Sequence, residues 1–213
     1  MEISNLPFEV EIRCYFNSYG EAYEKVPFLR ACLQKEDTWI TTFFGQELFK
    51  SGQLLRIGNV YYYEEEKWYL DWKGPDIGEF ANIRQEFGED ITAGIADSII
   101  MKQIGGRTDI ATPDEAAREL ERLGHRKFMS FWGRNNGGLY EPLDVSIKLM
   151  FCPLLKYPLM VEFEKTAATE EEAKQCESAL HDLCYDLKIQ DRLVKEEPPS
   201  LLYDAMFSEK SEK

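Results

Sequence analysis

The nine residues FEVEIRCYF, Phe8 to Phe16, alternate without a break. In an extended chain, successive side chains point to opposite faces. Phe8, Val10, Ile12, Cys14 and Phe16 therefore share one face, and Glu9, Glu11, Arg13 and Tyr15 the other. Glu9 and Glu11 fall about 7 Å apart on that second face, because a strand rises about 3.3 Å per residue. The same period of two recurs along the chain. In KWYLDWK, Trp68, Leu70 and Trp72 oppose Lys67, Tyr69, Asp71 and Lys73. In DVSIKLMF, Val145, Ile147, Leu149 and Phe151 oppose Asp144, Ser146, Lys148 and Met150. In LMVEFEK, Leu159, Val161 and Phe163 oppose Met160, Glu162 and Glu164. Eight strands are predicted in all, at 8–16, 38–44, 53–60, 65–73, 81–87, 127–134, 143–151 and 158–165.

Two helices announce themselves by their caps. In TPDEAARELERLGH, Thr112 caps, Pro113 fits the first turn and Glu115 completes a capping box. Ala116, Ala117, Leu120 and Leu123 form its apolar stripe, and Gly124 suits its end. In TEEEAKQCESALHDLCYDLK, Thr169 and Glu172 repeat the box, and Ala173, Cys176, Leu180, Leu183, Cys184 and Leu187 form the stripe. Shorter helices are expected around 19–35 and 199–207. Strands with one apolar and one charged face allow two arrangements. An antiparallel sheet can turn its charged face to water. Alternatively, a closed barrel can turn its apolar face outward to the helices and line its interior with charge.

The composition narrows the partners. Of 213 residues, 44% are hydrophobic, enough for a packed core. Acidic residues outnumber basic ones 39 to 25, for a formal net charge of −14. Nucleic acids and anionic membranes are bound through clustered Lys and Arg, so neither is expected as a partner. No signal peptide and no apolar run of membrane-spanning length is visible. Five cysteines without a CxxC pair read as thiols in a cytoplasmic protein. With two histidines, His125 and His181, a histidine-rich metal centre is not expected. The chain is read as one domain over 1–207 followed by a charged tail, 208–213.

The chemistry-bearing residues are acids near both ends of the chain and bases between them. Glu9-Val10-Glu11 and Glu162-Phe163-Glu164 repeat one Glu-x-Glu pattern. Paired carboxylates supply the oxygen donors that Mg²⁺ and Mn²⁺ prefer. Arg13, Arg56, Lys73, Arg84, Arg134 and Lys148 lie on the predicted strands and could meet phosphate oxygens. Taken singly, a Glu-x-Glu pair reads as a solvated strand face rather than a metal site, and the bases fit a mixed-charge surface as well as a phosphate site.

In order along the chain, the motifs resemble those of the CYTH superfamily, the triphosphate tunnel metalloenzymes. FEVEIR is similar to its opening ExExK, with Arg13 at the lysine. QKEDTWITTFF is similar to its Q-x-x-D-x-[YF] strand through Gln34, Asp37 and Trp39. LLRIG resembles LRxR at Arg56, and WYLDWKGP resembles the L-x-x-KGP strand ending in Lys73, Gly74 and Pro75. NIRQEF resembles R-x-E at Arg84 and Glu86, and VEFEK the late ExE at Glu162 and Glu164. LERLGH and PPSLLYDAMF resemble the helix before the second half and the terminal helix.

The resemblance implies an α+β fold: a closed eight-stranded antiparallel β-barrel, or tunnel, with a charged lumen and helices packed outside. It implies an Mg²⁺- or Mn²⁺-dependent triphosphatase acting on a small triphosphate, inorganic or thiamine triphosphate, as a monomer or homodimer. By position, Glu9, Glu11, Glu162 and Glu164 would hold metal. Arg13, Arg56, Lys73 and Arg84 would grip phosphate, with Arg134 and Lys148 as further contacts, and Glu86 would organise the bases or a water. The catalytic set would be Glu9, Glu11, Arg13, Lys73 and Glu86. Three departures bear on this. Gly58 stands where the second LRxR arginine would be, Trp132 at the lysine of the K-x-R strand, and Phe151 near the usual aspartate before the late ExE. Lys148, on the acidic face, has the wrong sign for a metal site but suits phosphate. A class IV-type adenylate cyclase, an RNA 5′-triphosphatase and a non-catalytic polyphosphate- or nucleotide-binding domain stay open alongside.

Overall fold

The computed structural model describes residues 6–207; residues 1–5 and the expected charged tail, 208–213, lie outside them. Eight strands run in chain order: β1 (Phe8–Phe16), β2 (Leu33–Phe44), β3 (Leu54–Tyr62), β4 (Glu65–Lys73), β5 (Asn82–Asp90), β6 (Lys127–Tyr140), β7 (Val145–Phe151) and β8 (Leu159–Ala167). They close into a barrel in the order β1-β5-β4-β3-β2-β6-β7-β8. Helices α1 (Tyr19–Lys25) and α2 (Leu29–Cys32) follow β1, α3 (Gln46–Lys50) follows β2, and α4 (Ile99–Gln103) and α5 (Pro113–Arg122) follow β5. The helices α6 (Glu170–Asp186) and α7 (Pro198–Phe207) end the described chain. No helix among the described residues is long and apolar enough to cross a membrane.

Tertiary contacts divide the chain into two compact units. Among the described residues, one holds 6–8, Asp37–Asp76 and Arg84–Trp132. The other holds Glu9–Glu36, Ile77–Ile83 and 133–207.

In the first unit, β3 pairs antiparallel with β2 and β4, and β4 with β5. Leu70 and Trp72 of β4 enter a core with Ile100 and Met101 of α4 and Ala116 and Leu120 of α5. The apolar face of β4 is thus the one beneath the helices. Asp71 and Lys73, of opposite parity, face away from them, and Lys73 is buried nonetheless. Thr112 caps α5 by accepting from the Glu115 N–H at 3.2 Å. The Glu115 carboxylate reaches past the cap to the N–H of Ala111.

In the second unit, β7 pairs antiparallel with β6 and β8, and α6 packs on β8. The Cys14 sulfur lies 3.9 Å from that of Cys184 on α6. Val10, Ile12 and Cys14 therefore face the helix, and Glu9, Glu11 and Arg13 face away from it. Glu11 and Arg13 are each only 3% exposed. A strand with both faces buried, apolar toward a helix and charged on the other side, belongs to a closed barrel rather than to a sheet with a wet face.

Two strands exceed their sequence limits by five residues or more. β2 begins at Leu33 rather than 38, over a stretch whose exposed side chains hide any alternation. β6 continues to Tyr140 instead of stopping at 134, through Asn135-Asn136-Gly137-Gly138, a string that reads as a turn. Pairing with β7 holds it extended, with Gly137 opposite Lys148 and Gly138 opposite Ile147. Gly138 is needed there because a Cβ would overlap the carbonyl oxygen of Cys32. The short helices α3 and α4 escape sequence reading because neither spans a full amphipathic repeat.

Candidate active site

The carboxylates and two of the bases meet in the second unit. β1 presents Glu9, Glu11 and Arg13 on one face, and β8 presents Glu162 and Glu164. The Arg13 guanidinium is spread over several partners. Its Nε donates to Glu162 Oε1 at 3.0 Å. Nη1 donates to Asn82 Oδ1 and Nη2 to Glu11 Oε2. Glu197, just before α7, adds a carboxylate 3.8 Å from Nη2. Burial alone would lower the Arg13 pKa, but Glu11, Glu162 and Glu197 together more than reverse this.

Lys148 of β7 sits directly across from Glu162 in the strand register. Its ammonium is 2.9 Å from Glu164 Oε2 and 3.8 Å from Glu162 Oε2. Burial pulls the Lys148 pKa down. Glu164, Glu162, Glu9 and Glu11 outweigh that and hold the ammonium charged well above the usual lysine range. Of these, Glu162 and Glu164 contact the ammonium directly. Burial works against ionisation of Glu162, but Arg13 and then Lys148 overcome it and keep the carboxylate below its usual range.

Oxygen donors of this kind suit a hard divalent ion, so Glu9, Glu11, Glu162 and Glu164 fit Mg²⁺ or Mn²⁺ in chemical type. Among the described residues, however, no three His, Cys, Asp or Glu side chains are gathered closely enough to hold an ion. Arg13 and Lys148 stand among the carboxylates instead.

The remaining bases lie mostly in the first unit. Arg56 on β3 faces Asp71 on β4, and Lys73 on β4 faces Glu86 on β5. The Lys73 ammonium is 2.6 Å from Glu86 Oε2. Arg56 Nε donates to Asp71 Oδ2 at 3.0 Å, and its Nη2 reaches Glu86 Oε1 at 3.4 Å. Glu86 thereby bridges Lys73 and Arg56, holding two cations on one face. At Gly58, where the resembled pattern has a second arginine, a Cβ would sit in ordinary contact, 3.9 Å from Asp71 Oδ2 and from Thr41 Oγ1. Arg84 is committed locally, its Nη1 donating at 2.6 Å to the carbonyls of both Gly52 and Gly74. That anchors the segments flanking β3 and β4.

Arg134, back in the second unit, is exposed, with its guanidinium 5.5 Å from the centre of the Phe151 ring. It makes a cation–π contact there.

No family model matches the chain, and no curated protein matches it by sequence. Solved structures do match in fold. The PH1819 protein of Pyrococcus horikoshii superposes with a TM-score of 0.72 at 19% identity, over 92% of this chain and 99% of its own. A Vibrio parahaemolyticus protein assigned as an adenylate cyclase gives 0.65 at 13%, over 92% and 97%. The Hippeastrum protein HpAC1, assigned as an adenylyl cyclase and described as having a dominant triphosphatase activity, gives 0.58 at 14%, over 94% and 96%. At these identities the likeness is one of fold.

Three polar residues escaped the sequence reading. Asp71 shares the parity of Lys73, and pairing LLRIG with WYLDWK in a hairpin would have set it opposite Arg56. Asn82 and Glu197 had no such signal. They reach Arg13 from distant parts of the chain, so only the folded backbone brings them there.

Proposed function

We propose that this chain is a divalent-metal-dependent triphosphatase that releases the terminal phosphate of a small triphosphate, inorganic or thiamine triphosphate. The observation that carries the reading is the set of contacts that bring Glu11 and Glu162 to Arg13, and Glu162 and Glu164 to Lys148, within a closed barrel. Mg²⁺ or Mn²⁺ held by those glutamates would neutralise phosphate oxygens and orient a water. Lys73 and Arg56, held by Glu86, would contact phosphate oxygens and stabilise the charge that develops as the terminal phosphoryl group leaves. Arg13 holds Glu11 and Glu162 in place; its donors are spent on those carboxylates and Asn82, which favours a positioning role over direct phosphate contact. Arg84, bound to two backbone carbonyls, shapes the loops rather than the substrate.

The test is to incubate the protein with triphosphate, thiamine triphosphate, ATP and a triphosphate-ended RNA, with and without Mg²⁺ or Mn²⁺. Phosphate, pyrophosphate and cyclic AMP are then measured. Metal-dependent phosphate release, lost in Glu9→Ala, supports the reading. Pyrophosphate with cyclic AMP would replace it with a cyclase, and tight binding without turnover with a triphosphate-binding domain.

A further inference from the structure

Away from the candidate active site, one cleft in the first unit collects cations in a strongly acidic chain. It opens between residues 45–48, which lead into α3, and residues 124–128, which join α5 to β6. Its volume is about 550 Å³, within the range of small-molecule sites. His125, Arg126 and Lys127 line it in succession. Arg126 and Lys127 are exposed, and His125 is half-buried. Among the described residues, no carboxylate pairs with Arg126 or Lys127, and the His125 imidazole has no hydrogen-bond partner. Glu47, the acid on the wall, is already matched by the Lys50 ammonium at 2.8 Å.

Backbone contacts hold the walls in place. The Gly45 N–H donates to the Arg126 carbonyl at 3.0 Å, and the His125 N–H to the Leu120 carbonyl at 2.9 Å. A Cβ on Gly45 would come to 3.0 Å from His125 Nδ1, so the glycine lets the imidazole rest against the chain. Leu48 and Phe128 supply an apolar part. The Phe128 ring is fixed edge-on against Phe49, 5.4 Å between centres.

We propose that this cleft binds a small phosphorylated organic molecule, with its phosphate on His125, Arg126 and Lys127 and its apolar part on Leu48 and Phe128. Arginine offers a fork and lysine a point charge to the several oxygens of a phosphate, and an imidazole N–H adds a further donor. At a net charge of −14, the chain as a whole repels anions. Cations left without carboxylates therefore mark where an anion can dock. The same repulsion grows with the charge of the anion, which favours a small phosphate ester over a nucleic acid. None of these residues belongs to the group around Arg13 or to the bases around Glu86, so binding here is independent of triphosphate hydrolysis.

The chain has two histidines, and their imidazole resonances report on and off the cleft. His181→Gln assigns them. Phenyl phosphate, which carries a dianion and a ring, is titrated in place of chloride at constant pH and ionic strength, so that general screening cancels. The His125 signals should move to saturation. Those of His181, which packs on the Phe80 ring at 4.9 Å, should stay. Arg126→Ala combined with Lys127→Ala should weaken binding about tenfold or more. Both residues are exposed, and circular dichroism confirms that the variant is folded. Inorganic phosphate, lacking the ring, should bind several-fold more weakly. Signals of both histidines drifting together without saturation, an unmoved His125, or equal affinity in the double variant overturns the site. Inorganic phosphate binding as tightly as phenyl phosphate overturns the assignment of the apolar part.

Discussion

Arg13 and Glu162, 149 positions apart in the chain, meet through a 3.0 Å hydrogen bond from Nε to Oε1. Both side chains are almost wholly buried. The same guanidinium also reaches Glu11, Asn82 and Glu197, so one arginine ties the start of the chain to segments near its end. Arg13→Met should destabilise the protein by about 3–5 kcal/mol, because it leaves buried carboxylates without their counter-ion. Arg13→Lys should cost less, retaining the charge but losing the fork. Urea unfolding monitored by tryptophan fluorescence measures both. A loss under about 1 kcal/mol for Arg13→Met would show that the carboxylates carry no net charge in the folded protein.

The pair of Lys73 and Glu86, 2.6 Å apart, leads to a kinetic expectation. Lys73→Met should lower kcat for triphosphate release by about 10²-fold or more, as loss of one preorganised charge does elsewhere. Glu86→Gln should lower it less, because Lys73 and Arg56 keep their charges and lose only the carboxylate that positions them. Steady-state kinetics with inorganic triphosphate distinguish the two. A Glu86 variant more damaged than the Lys73 variant would point to Glu86 acting on the reacting water.

Glu177 on α6 accepts three backbone N–H groups, from Glu79, Phe80 and Ala81, at 2.8, 2.7 and 2.8 Å. This carboxylate orders the segment leading into β5. Glu177→Ala should destabilise by at least about 1.5–3 kcal/mol, the worth of a single charge-assisted bond. Thermal unfolding gives the loss, and hydrogen exchange should show faster exchange confined to 79–81. Slow exchange there in the variant would mean that the loop is held by other contacts.

Glu119 supplies the clearest pH dependence. Arg122 hydrogen bonds, with the Arg107 N–H, bring its carboxyl from 4.5 down to about 2. A depressed native pKa adds stability that is fully present above 4.5 and lost as the pH falls toward 2. Glu119→Gln should lower the Tm by a few degrees at pH 7 and remove that part of the acid sensitivity. Parallel curves of Tm against pH for the two proteins between 4.5 and 2 would refute the assignment.

Much of this was legible in the chain. Strict alternation in FEVEIRCYF, KWYLDWK and LMVEFEK sets which side chains share a face, since the period of a strand is a local property. Thr112 and Thr169 mark their helix starts because capping is made between neighbours in sequence. The long second and sixth strands were less legible. Their outer parts are held by backbone pairing with other strands, which leaves no periodic trace in the residues.

Local alternation thus decided that Glu9, Glu11 and Arg13 lie together and that Glu162 and Glu164 form a second pair, whatever the fold. It could not decide whether that charged face meets water or is buried, because alternation is the same in both cases. Closure of the eight strands decided it, by placing the helices on the apolar face and burying the other. Closure also brought Asn82 and Glu197 to Arg13. Those are through-space relations between residues far apart in sequence, and their geometry exists only once the chain has folded.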